Sequence, residues 1–179
     1  MSGQRQPIES GVVFNNCEAN YSLASMGFSI DNSNVILNNC SAYRNHTDGF
    51  NFHEYGTTVM NDCVSRWNGD DGCSHHYGCI GTINGGRFIG NGKAGIAPAY
   101  GANVNIYNAI CNQNDSMGIG YLSTNNGHAS MKGIVNSCVM ANNNRGLVVN
   151  ALCDVIAINC IYKDNTTIDK QIQGILTEY

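Results

Sequence analysis

Charge is what this chain has least of. Asp, Glu, Lys and Arg make up 12% of its 179 residues, about half the usual share. With nine Lys and Arg and a net charge of −4, a nucleic-acid partner held by many phosphate contacts is excluded. There are only two prolines, and no run of about 18 apolar residues exists to cross a membrane. The opening MSGQRQPIES lacks an apolar h-region, so no signal peptide is read in this chain. No C-x2-C pair occurs among the nine cysteines. That argues against a structural zinc site and leaves the thiols as small buried apolar side chains. Little charge does not imply disorder, because 42% of the residues are apolar and can fill a core.

What the chain does have is 27 Asn and 21 Gly, residues that tolerate left-handed backbone and tight turns. They are placed periodically. Cys17, Cys40 and Cys63 are 23 residues apart, and the series continues through Gly86, Ala109, Cys138 and Cys160. Five residues after each position from Cys40 onward falls an Asn, from Asn45 and Asn68 through Asn91, Asn114 and Asn143 to Asn165. A glycine column runs Gly27, Gly49, Gly72, Gly95, Gly118 and Gly146, each nearly always followed by an apolar residue. Each unit, such as NVILNNCSAYRNHTDGFNFHEYG (34–56), holds short apolar–polar alternations between Asn/Gly/Asp turns, the pattern of strands. Leucine-rich repeats share the length but need recurrent Leu, which is sparse here.

The spacing therefore predicts an all-β, single-stranded, right-handed parallel β-helix of about seven rungs, a solenoid stabilised by nearest-neighbour stacking. It covers residues 11–174, with residues 1–10 a leader or linker and 175–179 a C-terminal tail. Gly118 to Gly146 is 28 residues, five more than the period, so Ser123–Ala129 is expected as a projecting loop. Exposed end rungs would offer unpaired strand edges, so further rungs of a longer chain or a homotrimer are expected partners.

In the strand after each column glycine, side chains alternate between core and solvent. With Phe50 and Phe52 inside, Asn51 and His53 point out; one rung on, Ser74 and His76 point out while His75 turns in as a satisfied core residue. The outward pair then becomes Ala97 and Ala99, and beyond it Gly120 and Leu122, so polar chemistry is confined to two neighbouring rungs. Asp48, Asp70, Asp71 and Lys93 precede these strands; Glu54, Tyr77 and Tyr100 follow them. Asp in a Gly-Asp-Asp-Gly turn also reads as a turn former bonding backbone two residues on, and stacked Tyr77 and Tyr100 as packing.

An extended groove with this set suits a linear polymer. Opening or epimerising a uronic acid requires a cation to shield its carboxylate, from Lys93 or from Ca²⁺ on Asp oxygens, and a His to move protons near neutral pH. Hydrolysis would instead use two carboxyl groups across the bond, from Asp48 with Asp70 or Asp71. The expected catalytic residues are His53, His76, Asp48 and Asp71. The expected substrate-binding residues are Asn51, Glu54, Asp70, Ser74, Lys93, Tyr77 and Tyr100.

Across residues 11–165 the rung pattern resembles the pectate-lyase-like right-handed β-helix superfamily of polysaccharide lyases, epimerases and phage tailspikes. DGFNFHE (48–54) is similar to the Y-G-F-D-P-H-D/E motif of mannuronan C5-epimerases. That match places His53 on the family's catalytic His, Asn51 on its Asp, Asp48 on its Tyr and His76 on its second Asp; only the His is identical. GCSHH (72–76) repeats the G-x-x-x-H arrangement. HTDG (46–49) and GDDG (69–72) resemble the N-T-D-G and D-D motifs of polygalacturonases, whose later G-H-G and R-I-K segments are missing here. The resemblance implies a protein outside the cell, at a cell surface or on a virion, that acts on an acidic polysaccharide as a lyase or epimerase. A non-catalytic carbohydrate-binding or shaft module and a hydrolase are the alternatives.

Overall fold

The computed structural model describes residues 11–123 and 130–179. Within them 22 short strands form three parallel sheets of eight, seven and seven strands. Each strand pairs with its equivalent one rung away, as Ile80–Asn84 does with Thr57–Asn61 and Asn103–Tyr107. The result is a right-handed parallel β-helix of about seven turns. No helix among the described residues is long and apolar enough to cross a membrane. The segment expected as a tail instead forms the last strand of the first sheet: Ile175–Glu178 pairs with Cys153–Ile158. Residues 1–10, expected as a leader, and 124–129 of the expected loop lie outside the described residues.

The period of 23 sets the core. In-register pairing puts equivalent residues about 4.8 Å apart, so a side chain that points inward in one rung has a like neighbour above and below. Phe28 stacks on Phe50 with ring centroids 4.9 Å apart. Cys40, Cys63, Ala109 and Cys138 are buried, while Cys17 and Cys160 in the end rungs are only half-buried. All nine cysteines are free thiols. Their column is more than filler: Cys63 Sγ donates to the carbonyls of Leu37 (3.5 Å) and Asn61 (3.6 Å), and Cys138 repeats this with Ile106 and Asn136. Burial pushes the Cys63 thiol up to about 12, which keeps it out of the reactive thiolate form at neutral pH.

Asn side chains tie the rungs together where the backbone turns. Asn91 is fully buried; its Oδ1 accepts the backbone N–H (3.2 Å) and Nδ2–H (3.0 Å) of Asn68. Its own Nδ2 donates to Asn114 Oδ1 (3.0 Å) and to the Ser65 carbonyl (3.4 Å). The same donation runs without a break from Asn45 to Asn165, whose Nδ2 ends on Asp169 Oδ1 at 2.8 Å. A second column lies on the outer side of the coil and was not singled out in the sequence. There Asn84 donates to Asn61, Asn61 to Asn38 and Asn38 to Asn15, at 2.8–2.9 Å and in the opposite direction along the axis. The glycine column is forced by crowding: a Cβ on Gly72 would lie 2.6 Å from the Gly95 carbonyl oxygen and 2.7 Å from Asn91 Nδ2.

Two outcomes are expected. Asn91→Ala should lower the unfolding free energy by about 2–3 kcal/mol in urea melts, because it strips partners from buried groups on both neighbouring rungs. Asn61→Ala, in the part-exposed column, should cost about 1 kcal/mol or less; equal losses would show that burial does not set the column's value. Thiol titration of the denatured, unreduced protein should count nine thiols, and a count of seven or fewer would contradict the parallel cysteine column.

Candidate functional site

The outward face of the third sheet changes chemistry along the axis. Asn51 pairs in register with Ser74, and Ser74 with Ala97; Gly120 and Val148 pair further on. The turn just before these strands carries Asp48, Asp70 and Asp71, then Lys93, then Ser116 and Met117. Polar residues of two rungs therefore meet an apolar patch made by Ala94, Ala97, Met117 and Val148, with Leu122 against it. Between them lies a groove of about 380 Å³ whose polar wall is Asp48, Asp70, Asp71, His76 and Lys93. Tyr100, Ser116 and Asn150 also reach it.

Asp48 organises this wall. It is buried, and its Oδ2 accepts from Asn51 Nδ2 (2.8 Å) and Ser74 Oγ (2.8 Å), while Oδ1 accepts the Asp71 N–H (3.0 Å). Asn51 and Ser74, expected to meet substrate, are buried beneath the groove and hold Asp48 instead. Asp71 Oδ1 accepts the Ala94 N–H at 2.9 Å. The acidic residues are thus turn formers as well, though they bond the backbone of the next rung and not their own. Asp70 forms an ion pair with Lys93 at 2.8 Å.

Of the other expected residues, His53 lies outside the groove wall. Its ring meets His76 edge-on at 5.4 Å and Tyr77 at 4.6 Å. Tyr77 and Tyr100 stack at 5.1 Å, and His76 sits edge-on to Tyr100 at 5.4 Å. Glu54 is exposed beyond the wall, at a left-handed turn residue. His75 does turn inward, fully buried, with Nε2 2.7 Å from the Thr58 hydroxyl. Met117, Leu122, Ser116 and Asn150 were not anticipated as groove residues, because none is ionisable and all come from rungs beyond those of the aspartates and Lys93.

The electrostatics follow from burial. It raises Asp71 to about 7, with Asp48 and Asp70 adding to the rise and the Ala94 N–H and Lys93 opposing it. Burial, then His53, lowers His76, while Asp48 and Asp70 pull the other way. Burial holds His75 down at about 3. The bond to Asp70 raises Lys93.

One oxygen from each of Asp48, Asp70 and Asp71 lies within 4.8 Å of the others, an acidic cluster compatible with a metal ion. Donors occupy both Asp48 oxygens, whereas Asp70 Oδ1 is buried with no hydrogen-bond partner. Asp70 and Asp71 are accordingly the carboxylates with oxygens to spare for a hard cation.

No protein-family model matches the chain, and no curated protein matches it in sequence. Its class is set by fold alone: a right-handed parallel β-helix. Among solved structures it is similar to the A-module of the Azotobacter vinelandii mannuronan C-5 epimerase AlgE4, with a TM-score of 0.62 and 14% identity. The alignment covers 94% of this chain and 62% of that module. At such identity the likeness is one of fold.

Asp71 and His75 have opposite consequences for stability. Asp71 titrates higher in the folded than in the unfolded chain, so through it stability falls as pH rises from about 4 to 7. His75 titrates lower when folded, so through it stability is lost as pH falls from about 6.5 to 3. The two slopes offset each other in the parent. Asp71→Asn, measured with chelator present, should therefore melt higher than the parent at pH 8 but not at pH 4. Its stability should also rise steeply between pH 4 and 6.5. Parallel pH profiles for the two proteins would refute the assignment.

Proposed function

We propose that this protein processes an acidic, uronate-containing polysaccharide outside the cell, by lyase or epimerase chemistry in the third-sheet groove. The observation that carries the reading is the convergence of His76, Lys93 and three aspartates on one groove, with a buried Asp70 oxygen left unpartnered. The wall is net acidic, so a uronate carboxylate would be repelled by it unless a cation intervenes. Ca²⁺ held by Asp70 and Asp71 would supply that charge and make the C5 proton more acidic. His76, whose imidazole burial pushes toward its neutral form, serves in this reading as the base that takes the C5 proton. In elimination the electron pair left at C5 forms the C4–C5 double bond and the C4–O bond breaks, the leaving oxygen taking a proton from Tyr100 or solvent. In epimerisation a proton returns to the opposite face of C5. Asn51 and Ser74 act on Asp48 as positioning residues, and His53 acts through His76.

Glycoside hydrolysis is the second reading, favoured by one observation. Asp71, half-protonated near neutral pH, stands beside the hydrogen-bonded carboxylate of Asp48. One oxygen of each lies no more than 4.8 Å from one of the other, so the two carboxyl groups stand together as a hydrolytic pair requires.

A screen of polygalacturonate, polymannuronate and polyguluronate, with Ca²⁺ or with chelator, separates these outcomes. Elimination yields an unsaturated, ultraviolet-absorbing sugar; hydrolysis yields reducing ends without it; epimerisation leaves chain length unchanged. We expect Ca²⁺-dependent elimination or epimerisation. Binding without any reaction would reassign the protein as a carbohydrate-binding module. His76→Ala should lose roughly 100-fold or more in turnover, the contribution of positioned acid–base catalysis. His53→Ala should lose less and shift the acid limb of the pH profile upward, because His53 no longer depresses His76. Full turnover in His76→Ala would move the reaction centre elsewhere.

A further inference from the structure

Trp67 is the single tryptophan of the chain and is 53% exposed, in the turn between the second and third sheets. It shares a column with Tyr21 and Arg44, one rung apart each, and all three have left-handed backbone, with φ of 57°, 54° and 54°. Bulky residues seldom adopt that conformation, and in the next rung Gly90 occupies the position. Three large side chains thus stand out from the coil where glycine would fit with less strain. The Arg44 guanidinium lies between the two rings, 5.8 Å from the Tyr21 centroid and 5.4 Å from that of Trp67. Its Nη1 donates to the Tyr21 hydroxyl at 3.2 Å. Tyr43 closes the array edge-on to Tyr21 at 5.3 Å. A Cβ on Gly90 would lie 2.7 Å from Trp67 Cδ1, so glycine there lets the indole lean over the next rung.

Trp67 separates two shallow hollows of about 370 and 350 Å³. One is walled by Glu18, Tyr43 and Arg66; the other by Arg44, His46 and Gly69. Arg66 Nε is buried and has no hydrogen-bond partner. An exposed indole offers an apolar face to the C–H side of a pyranose ring, and a guanidinium matches a carboxylate through paired N–H donors. Two arginines beside the only tryptophan, in a chain of net charge −4, select an acidic sugar. Trp67 is three residues from Asp70, so their Cα atoms are at most about 11 Å apart.

We infer that Trp67, Arg44 and Arg66 form a second glycan subsite, which takes a uronate residue of the same polysaccharide that occupies the groove. The inference rests on the polysaccharide reading above. In the first hollow Glu18 opposes a carboxylate and Arg66 attracts it, whereas the second hollow holds Arg44 and, among the described residues, no acidic side chain.

Because Trp67 is the only tryptophan, its emission reports the site directly. Titration with an oligogalacturonate or oligomannuronate should give a saturable emission change that weakens with salt, and a neutral cello-oligosaccharide should give none. By calorimetry, Trp67→Ala and Arg44→Gln should each weaken oligouronate binding roughly tenfold or more, with melting temperature nearly unchanged. An unresponsive Trp67, while the groove demonstrably turns over uronate polymer, would overturn the subsite and leave the groove reading intact. A Trp67 response with no turnover of any uronate polymer would support the subsite and sink the catalytic reading. An equal response to neutral sugar, or an emission change on raising protein concentration without glycan, would overturn it.

Discussion

In-register stacking of identical positions is the constraint on which everything else in this molecule depends. A parallel coil buries its inward side chains only if each rung repeats the one below it, because the core is built from columns of like residues. The backbone ladder alone would tolerate slippage at the turns. Buried Asn side chains remove that freedom, since each amide meets both a backbone N–H and the amide of the adjacent rung. A shift by one residue would leave several of these groups unpaired at once, a cost no single packing gain would offset. Such columns couple each rung to its neighbours and to nothing else, as expected of a quasi-one-dimensional fold.

The candidate site grows from the same device. Asp48 and Asp71 occupy one column, and each carboxylate accepts a backbone N–H of the rung that follows. The carboxylates of Asp48 and Asp71 are therefore part of the scaffold that holds the rungs in register, with Asn51 and Ser74 fixing the second oxygen of Asp48. Where the column turns to Ala94 and Met117, this backbone bond is lost and an apolar wall begins. The border between the two halves is the place where a charged and an uncharged part of one ligand would be told apart.

Much of this was legible in the sequence. The 23-residue period fixed the strand registers, the Cys, Asn and Gly columns, the inward turn of His75 and the confinement of polar chemistry to two rungs. Alternation along a strand could not reveal depth. Asn51 and Ser74 do leave the core face, as the alternation requires, yet the carboxylate of Asp48 covers them. His53 and His76 are neighbours as their spacing implies, but only His76 reaches the groove, while the His53 ring packs against Tyr77. The outer Asn column and the Tyr21–Arg44–Trp67 column keep the same period, beside positions that carry the more conspicuous cysteines and histidines. Alternation put Ala97 and Leu122 on the outward face, but that they join Met117 and Val148 as an apolar wall against the acidic residues shows only once the rungs are stacked.

The two Asn columns point their amides in opposite directions along the axis. Side-chain amides aligned head to tail add their dipoles as peptide units do in a helix, leaving partial positive charge at the donor end and negative charge at the acceptor end. The donor end of the inner column is Asn165, and the group that receives it is the carboxylate of Asp169. A negative charge there is the electrostatically matched terminator, equivalent to an acidic residue at the start of a helix. The outer column runs the other way but only over Asn15–Asn84, so it opposes the inner column in the first half of the coil and leaves the pole at Asn165 for Asp169 to meet.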